Sequence, residues 1–188
     1  MKKHYLHSSY REKLIEHLLI SDLLKLSWRS GDCSLEIAKP EVDNKGYDLI
    51  AEADGVVRHV QLKASHLGST TRSQKVHVAL ATKPSGCVVW VYFNEDTLSL
   101  GPFLYFGGAA GEPLPDLDGL KVARHTKANA DGYKAERPDI RVVPKSQFET
   151  VERVEDLYAV LFTRPQNPPL QADTERQRSQ PFRTSVSP

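Results

Sequence analysis

Gly46-Tyr47-Asp48-Leu49-Ile50 and His59-Val60-Gln61-Leu62-Lys63-Ala64-Ser65 are two apolar runs with polar residues set into them. Between them lies Glu52-Ala53-Asp54-Gly55, whose Asp-Gly pair predicts a tight hairpin turn. Folding that hairpin brings Asp48 close to Gln61 and Lys63. Side chains alternate along a strand, so Gln61, Lys63 and Ser65 share one face and Val60, Leu62 and Ala64 the other. On the first strand Asp48, Ile50 and Glu52 point one way, and Tyr47, Leu49 and Ala51 the opposite way. The apolar sides are expected to pack into a core, with the polar residues collected at one end of the sheet. A carboxylate, a second oxygen ligand and an ammonium on adjacent strands can hold a hard metal ion and aim a water at a phosphate.

The flanking sequence supplies elements for that hairpin to join. Tyr10 to Trp28 carries Leu14, Ile15, Leu18, Leu19, Leu23 and Leu26 at helical spacing. Ser8 or Ser9 is the expected N-cap, Glu12 belongs to the first turn, and Gly31 follows the end. Leu35 to Ala38 reads as a short strand. His66 to Lys75 reads as a loop, and Val76 to Ala81 fits either a strand or a short helix. Cys87 to Phe93 is apolar on both faces and predicts a buried strand. Leu98 to Phe106 is a strand broken by Gly101-Pro102, expected near an edge. Gly107 to Gly119 reads as a loop, Asp139 to Val143 as a last strand and Phe148 to Phe162 as a second amphipathic helix. The expected fold class is α/β, a mixed sheet of four to six strands flanked by two helices.

These residues resemble the PD-(D/E)xK nuclease superfamily, the restriction-endonuclease-like fold. Asp48 matches the first acid of its motif. Gln61-Leu62-Lys63 matches the second half in its Gln-x-Lys form. Glu16, in Leu14-Ile15-Glu16-His17-Leu18-Leu19, matches a Glu that the family places on the helix before the sheet. Tyr47 stands where the family usually has Pro, and Gln61 replaces a carboxylate. The resemblance implies that Asp48, Gln61 and Glu16 ligate Mg²⁺ or Mn²⁺, through the Gln61 amide or a neighbouring backbone carbonyl. Lys63 would orient or deprotonate the attacking water. A neutral Gln61 weakens the shell, so Glu52, Asp43 and Glu12 are further candidate carboxylates.

The whole chain sets bounds on this reading. It has 188 residues, 39% of them hydrophobic, and a formal net charge of +1. Residues 1–163 are expected to form one nuclease-like domain, and 164–188, rich in Pro, Gln, Ser and Arg, a disordered tail. No run approaches the ~18 consecutive apolar residues of a membrane span, and the start has no signal-peptide core. A cytoplasmic location is expected, with Cys33 and Cys87 as buried free thiols. Charge is uneven along the chain. Acids dominate from Asp32 to Asp54, whereas no acid occurs from Gly55 to Asn94, which carries Arg58, Lys63, Arg72, Lys75 and Lys83. An acidic pocket beside a basic skirt suits a metal site that accepts a polyanion. Ser65, Arg72 and Lys75 are candidate phosphate contacts. A second basic run, Lys121, Arg124, His125, Lys127, Lys134, Arg137 and Arg141, is a candidate for the other wall of a groove. The expected activity is metal-dependent hydrolysis of nucleic acid, with DNA the first choice, in restriction, defence or repair. The alternative is an inactive nuclease-like module that binds nucleic acid or a partner. Recognition would come from this chain, a homodimer or a partner protein.

Overall fold

The computed structural model describes residues 7–42, 44–127, 130 and 132–164. Helix α1 (Ser8–Ser30) forms as its apolar spacing predicts, burying Ile15, Leu19 and Leu23. Gly31 ends it in the left-handed region (φ 82°), with its N–H bonded to the Trp28 carbonyl at 3.2 Å. The start differs from expectation. His7 takes the N-cap position without a side-chain cap, and the first turn holds no acid.

The strands are β1 (Glu36–Ala38), β2 (Leu49–Ala53), β3 (Val56–His66), β4 (Ser73–His77), β5 (Gly86–Phe93), β6 (Leu100–Gly107), β7 (Val122–Arg124), β8 (Glu136–Pro144) and β9 (Glu149–Val151). Helix α2 (Val154–Phe162) follows. A six-stranded mixed sheet has the order β1-β2-β3-β5-β6-β9, with β3 and β5 parallel and its other pairs antiparallel. The hairpin is as the Asp-Gly turn requires: Asp54 and Gly55 are both left-handed, and Leu49 registers with Val60. A second, three-stranded antiparallel sheet has the order β4-β8-β7.

Both faces of the large sheet are covered. On one face Leu49, Val60, Val89 and Phe103 pack with Ile15, Leu19 and Leu23 of α1 and Leu157 and Leu161 of α2. On the other, Val88, Trp90, Leu104 and Phe106 meet Val76, Leu80, Val143 and Phe148. β5 sits between the two cores, so every one of its residues is buried, as a strand apolar on both sides must be.

Further expectations change. The stretch read as loop from His66 to Lys75 contributes β4, because β8 supplies a partner for Ser73 to His77. The three-stranded sheet itself was not foreseen. The second helix begins only at Val154, since Glu149–Val151 pairs with β6 at the sheet edge instead. Tyr47 packs against the second core rather than with Leu49, because β2 starts only at Leu49 and alternation does not extend back to Tyr47. Arg58, counted in the basic skirt, has no exposed surface at all.

Cys87 is buried as expected, but Cys33 is exposed. Burial pushes the Cys87 thiol up to about 12, against a smaller opposing pull from the Arg58 guanidinium. One thiol per chain is therefore expected to react rapidly with an aromatic disulfide reagent in the native protein, and the second only after denaturation. Two rapid equivalents would contradict the burial of Cys87. The tail from 165 onward and Asp43 lie outside the described residues. Among those described, no helix is long and apolar enough to cross a membrane.

Candidate active site

β2 and β3 part company at Asp48. Its backbone N–H bonds to the Val60 carbonyl at 2.8 Å, one step past the last strand pair. The next donor along that edge, the Leu62 N–H, goes to Asp48 Oδ2 at 2.6 Å. The carboxylate thus replaces the backbone acceptor that a longer β2 would have offered. β3 runs on to His66 while β2 does not accompany it, so its outer edge opens onto a cavity.

The turn into Asp48 is fixed by its neighbours. Gly46 is left-handed (φ 73°) and buried against His77. The Tyr47 ring stands edge-on to His59, with centroids 5.0 Å apart, and the Lys83 ammonium lies 5.0 Å from the Tyr47 ring centroid. Burial, and secondarily the Lys83 charge, lower the His59 pKa, so at neutral pH its ring packs as an uncharged group.

Two cavities meet at this point. One, about 420 Å³, is lined by Arg11, Glu12, Lys13, Glu16, Asp48, Lys63 and Gln74 among others. The second, about 470 Å³, is lined by Asp48, Gln61, Lys63, Lys75, His77 and Arg137 among others. Asp48 and Lys63 belong to both. Of the other two side chains read from the sequence as catalytic or metal-binding, Glu16 borders only the first and Gln61 only the second. Asp48 and Lys63 stand between Glu16 on the α1 side and Gln61 on the side of the small sheet.

Each brings a different electrostatic state. Glu16 is buried, at 5% exposure, and not solvated at a helix edge. Burial alone would raise its pKa, but bonds from Lys39 and Lys13 outweigh that and hold it below the ordinary carboxylate value. Lys13 Nζ lies 2.9 Å from Oε2, and Lys39 is ion-paired to Oε1. Gln61 is 8% exposed, and its Oε1 is buried with no hydrogen-bond partner. A buried amide oxygen left unpaired is costly, and it suits an oxygen-seeking cation or a polar ligand group.

The remaining candidates divide. Ser65 lies in β3, as read from the sequence, but it is buried, with its hydroxyl accepting the Trp90 Nε1–H at 2.9 Å. Arg72 and Lys75 are exposed, and Lys75 reaches the second cavity from β4. Of the further carboxylates, Glu12 lines the first cavity, whereas Glu52 pairs with Val57 near the far end of the hairpin. Among the described residues no three His, Cys, Asp or Glu side chains come together as a metal site. Sequence reasoning missed Lys39 and His77. Lys39 follows the edge strand β1, and no pattern ties it to α1. His77 sits where a strand passes into a 3-10 helix, a junction that periodicity left undecided.

No protein family matches the chain, and no curated protein matches it. Among solved structures, the chain has a distant likeness to a bacterial homing endonuclease, I-Ssp6803I. The two are 20% identical, with a TM-score of 0.32, over 65% of this chain and 82% of that one. A superposition that loose bears on neither the catalytic residues nor the substrate.

Proposed function

We propose that this chain hydrolyses phosphodiester bonds in nucleic acid, with DNA as the first substrate to test, in a reaction that uses Mg²⁺ or Mn²⁺. The observation that carries this reading is the convergence of Asp48, Gln61 and Lys63 on one cavity, with the Gln61 amide oxygen buried and unpartnered. Asp48 and Gln61 would hold the ion. The Leu62 carbonyl, on the same open edge of β3 as the Leu62 N–H, offers a third oxygen. Glu16, on the α1 side of Asp48 and Lys63, would complete the set and is kept anionic by its two lysines. A divalent ion held there supplies a water of lowered pKa and neutralises charge on the phosphate. Lys63 would orient that water and stabilise negative charge developing on the phosphate oxygens.

A second reading is a nuclease-like module that binds nucleic acid or a partner protein without cutting. The absence of a three-residue metal cluster among the described residues favours it, as does the existing neutralisation of Glu16 by Lys13 and Lys39. Calorimetric titration with Mg²⁺ and Mn²⁺, followed by incubation with mixed DNA and RNA substrates, separates the two. Ion binding with cleavage supports hydrolysis. Neither binding nor cleavage leaves the second reading in place.

A further inference from the structure

Gly46 and His77 make a contact that only glycine permits. A Cβ on Gly46 would collide with the Cβ of His77, and its φ of +73° already disfavours other residues. The turn that delivers Asp48 is therefore pressed against the end of β4. The His77 ring is held from a second direction as well. Its Nδ1 accepts the Ala79 N–H at 3.1 Å and caps the 3-10 helix Val78–Thr82. An accepting Nδ1 carries no proton, so the ring hydrogen is on Nε2.

His77 lines the cavity of Asp48, Gln61 and Lys63, together with Arg137 from β8. A further cavity of about 250 Å³ is lined by His77, His125, Glu136, Arg137, Pro138, Asp139 and Ile140. His77, Arg137 and Ile140 are common to both. Glu136 is engaged by Arg124 at 3.3 Å, and Arg137 has no ion-pair partner among the described residues. An N–H donor and a guanidinium, both carried by strands of one sheet, thus stand beside the candidate catalytic cluster. Donors on strands hold a ligand more precisely than donors on a loop.

We propose that His77 and Arg137 bind the phosphate next to the one on which Asp48, Gln61 and Lys63 act. The β4-β8-β7 sheet then sets the register of the nucleic-acid strand in the site. This rests on the phosphodiester reading above, and its ligand is the backbone phosphate rather than any base. The guanidinium matches two phosphate oxygens at once, and the fixed imidazole supplies a neutral donor beside it.

The test is binding of a fluorescein-labelled single-stranded DNA of about fifteen nucleotides to the full chain, followed by anisotropy across a salt series. Ca²⁺ replaces Mg²⁺ to limit turnover. Arg137→Gln, at an exposed position, should fold normally and weaken binding about tenfold. Its slope of log affinity against log salt should be shallower by about 0.7, one single-strand phosphate contact. His77→Asn keeps an acceptor for the Ala79 N–H but draws the donor back from the cavity. It should weaken binding several-fold at an unchanged Tm and an unchanged salt slope, since the lost donor is neutral. Parent-like affinity and slope in folded Arg137→Gln would overturn the proposal. So would parent-like affinity in folded His77→Asn, or failure of the parent to bind the oligonucleotide. Cleavage by Asp48 and Lys63 variants is scored separately. If those cut like the parent, the catalytic reading falls, while anisotropy alone decides the phosphate site.

Discussion

Lys63→Ala is expected to bind a divalent ion at least as well as the parent and to lose cleavage by about 10²- to 10⁴-fold, the usual worth of a positioned proton-transfer group. That loss corresponds to roughly 3–5 kcal/mol of transition-state stabilisation. The two observables should separate because Lys63 is cationic. Removing it relieves repulsion of the ion while deleting the group that acts on water and phosphate. Asp48 calls for a different substitution. Its Oδ2 accepts the Leu62 N–H, so alanine would orphan that donor at a cost of about 1–3 kcal/mol. Asp48→Asn keeps an acceptor there and removes only the charge. It should lower both ion affinity and cleavage with little change in Tm. Gln61→Glu, by adding charge to the shell, should tighten the ion and preserve or raise cleavage. Melting curves precede every comparison of rates. Folded Asp48→Asn and Lys63→Ala proteins that cut as fast as the parent would remove these residues from the mechanism.

The part of the fold that was legible in the sequence is the part governed by local rules. An Asp-Gly turn between alternating runs fixed the β2–β3 hairpin and placed Asp48 beside Gln61, because register follows from the turn. The α1 stripe and the double-sided apolarity of β5 were equally readable. The small sheet was not, because its strands are held by long-range pairing. β4 joins β8 across more than sixty residues, Ser73 to Pro144, and its polar sequence resembles a loop. The same blindness touched the site. Glu16 was placed by resemblance, but its two lysines come from different elements. Lys13 lies one turn away, and Lys39 beyond a whole strand. His77 and Arg137 reach the cavity only through the sheet that periodicity did not disclose. Charge bookkeeping along the chain also misled, since it treats every arginine as surface.

Arg58 is the consequence of that last error, and its replacement should produce a large loss of stability. It is 0% exposed on the face of β3 that packs under α2. Nε donates to the Leu161 carbonyl at 2.8 Å and Nη1 to Ser85 Oγ at 3.0 Å. Nη2 reaches the Gly108 carbonyl at 3.2 Å and the Val160 carbonyl at 3.1 Å. The guanidinium carbon lies 5.9 Å from the centre of the Tyr105 ring. These acceptors are neutral, so the buried charge is held by hydrogen bonds and ring electrons alone. Two of them are carbonyls in the last turn of α2, which an α-helix cannot satisfy internally and where its dipole favours a cation. One side chain therefore ties the end of α2 to β3, to Ser85 before β5 and to the loop after β6. Arg58→Ala strands three acceptors, since the Gly108 carbonyl keeps the Tyr105 hydroxyl at 2.7 Å, and opens a void; it should cost about 3–5 kcal/mol. Arg58→Met restores much of the volume but no donor, so it should recover only part of that loss. Arg58→Lys keeps the charge yet cannot present the planar fork, and should also remain well below the parent. Chemical denaturation of the three variants gives the order directly. A Met variant as stable as the parent would show that the guanidinium serves only as filler, and that the carbonyls of α2 find other donors.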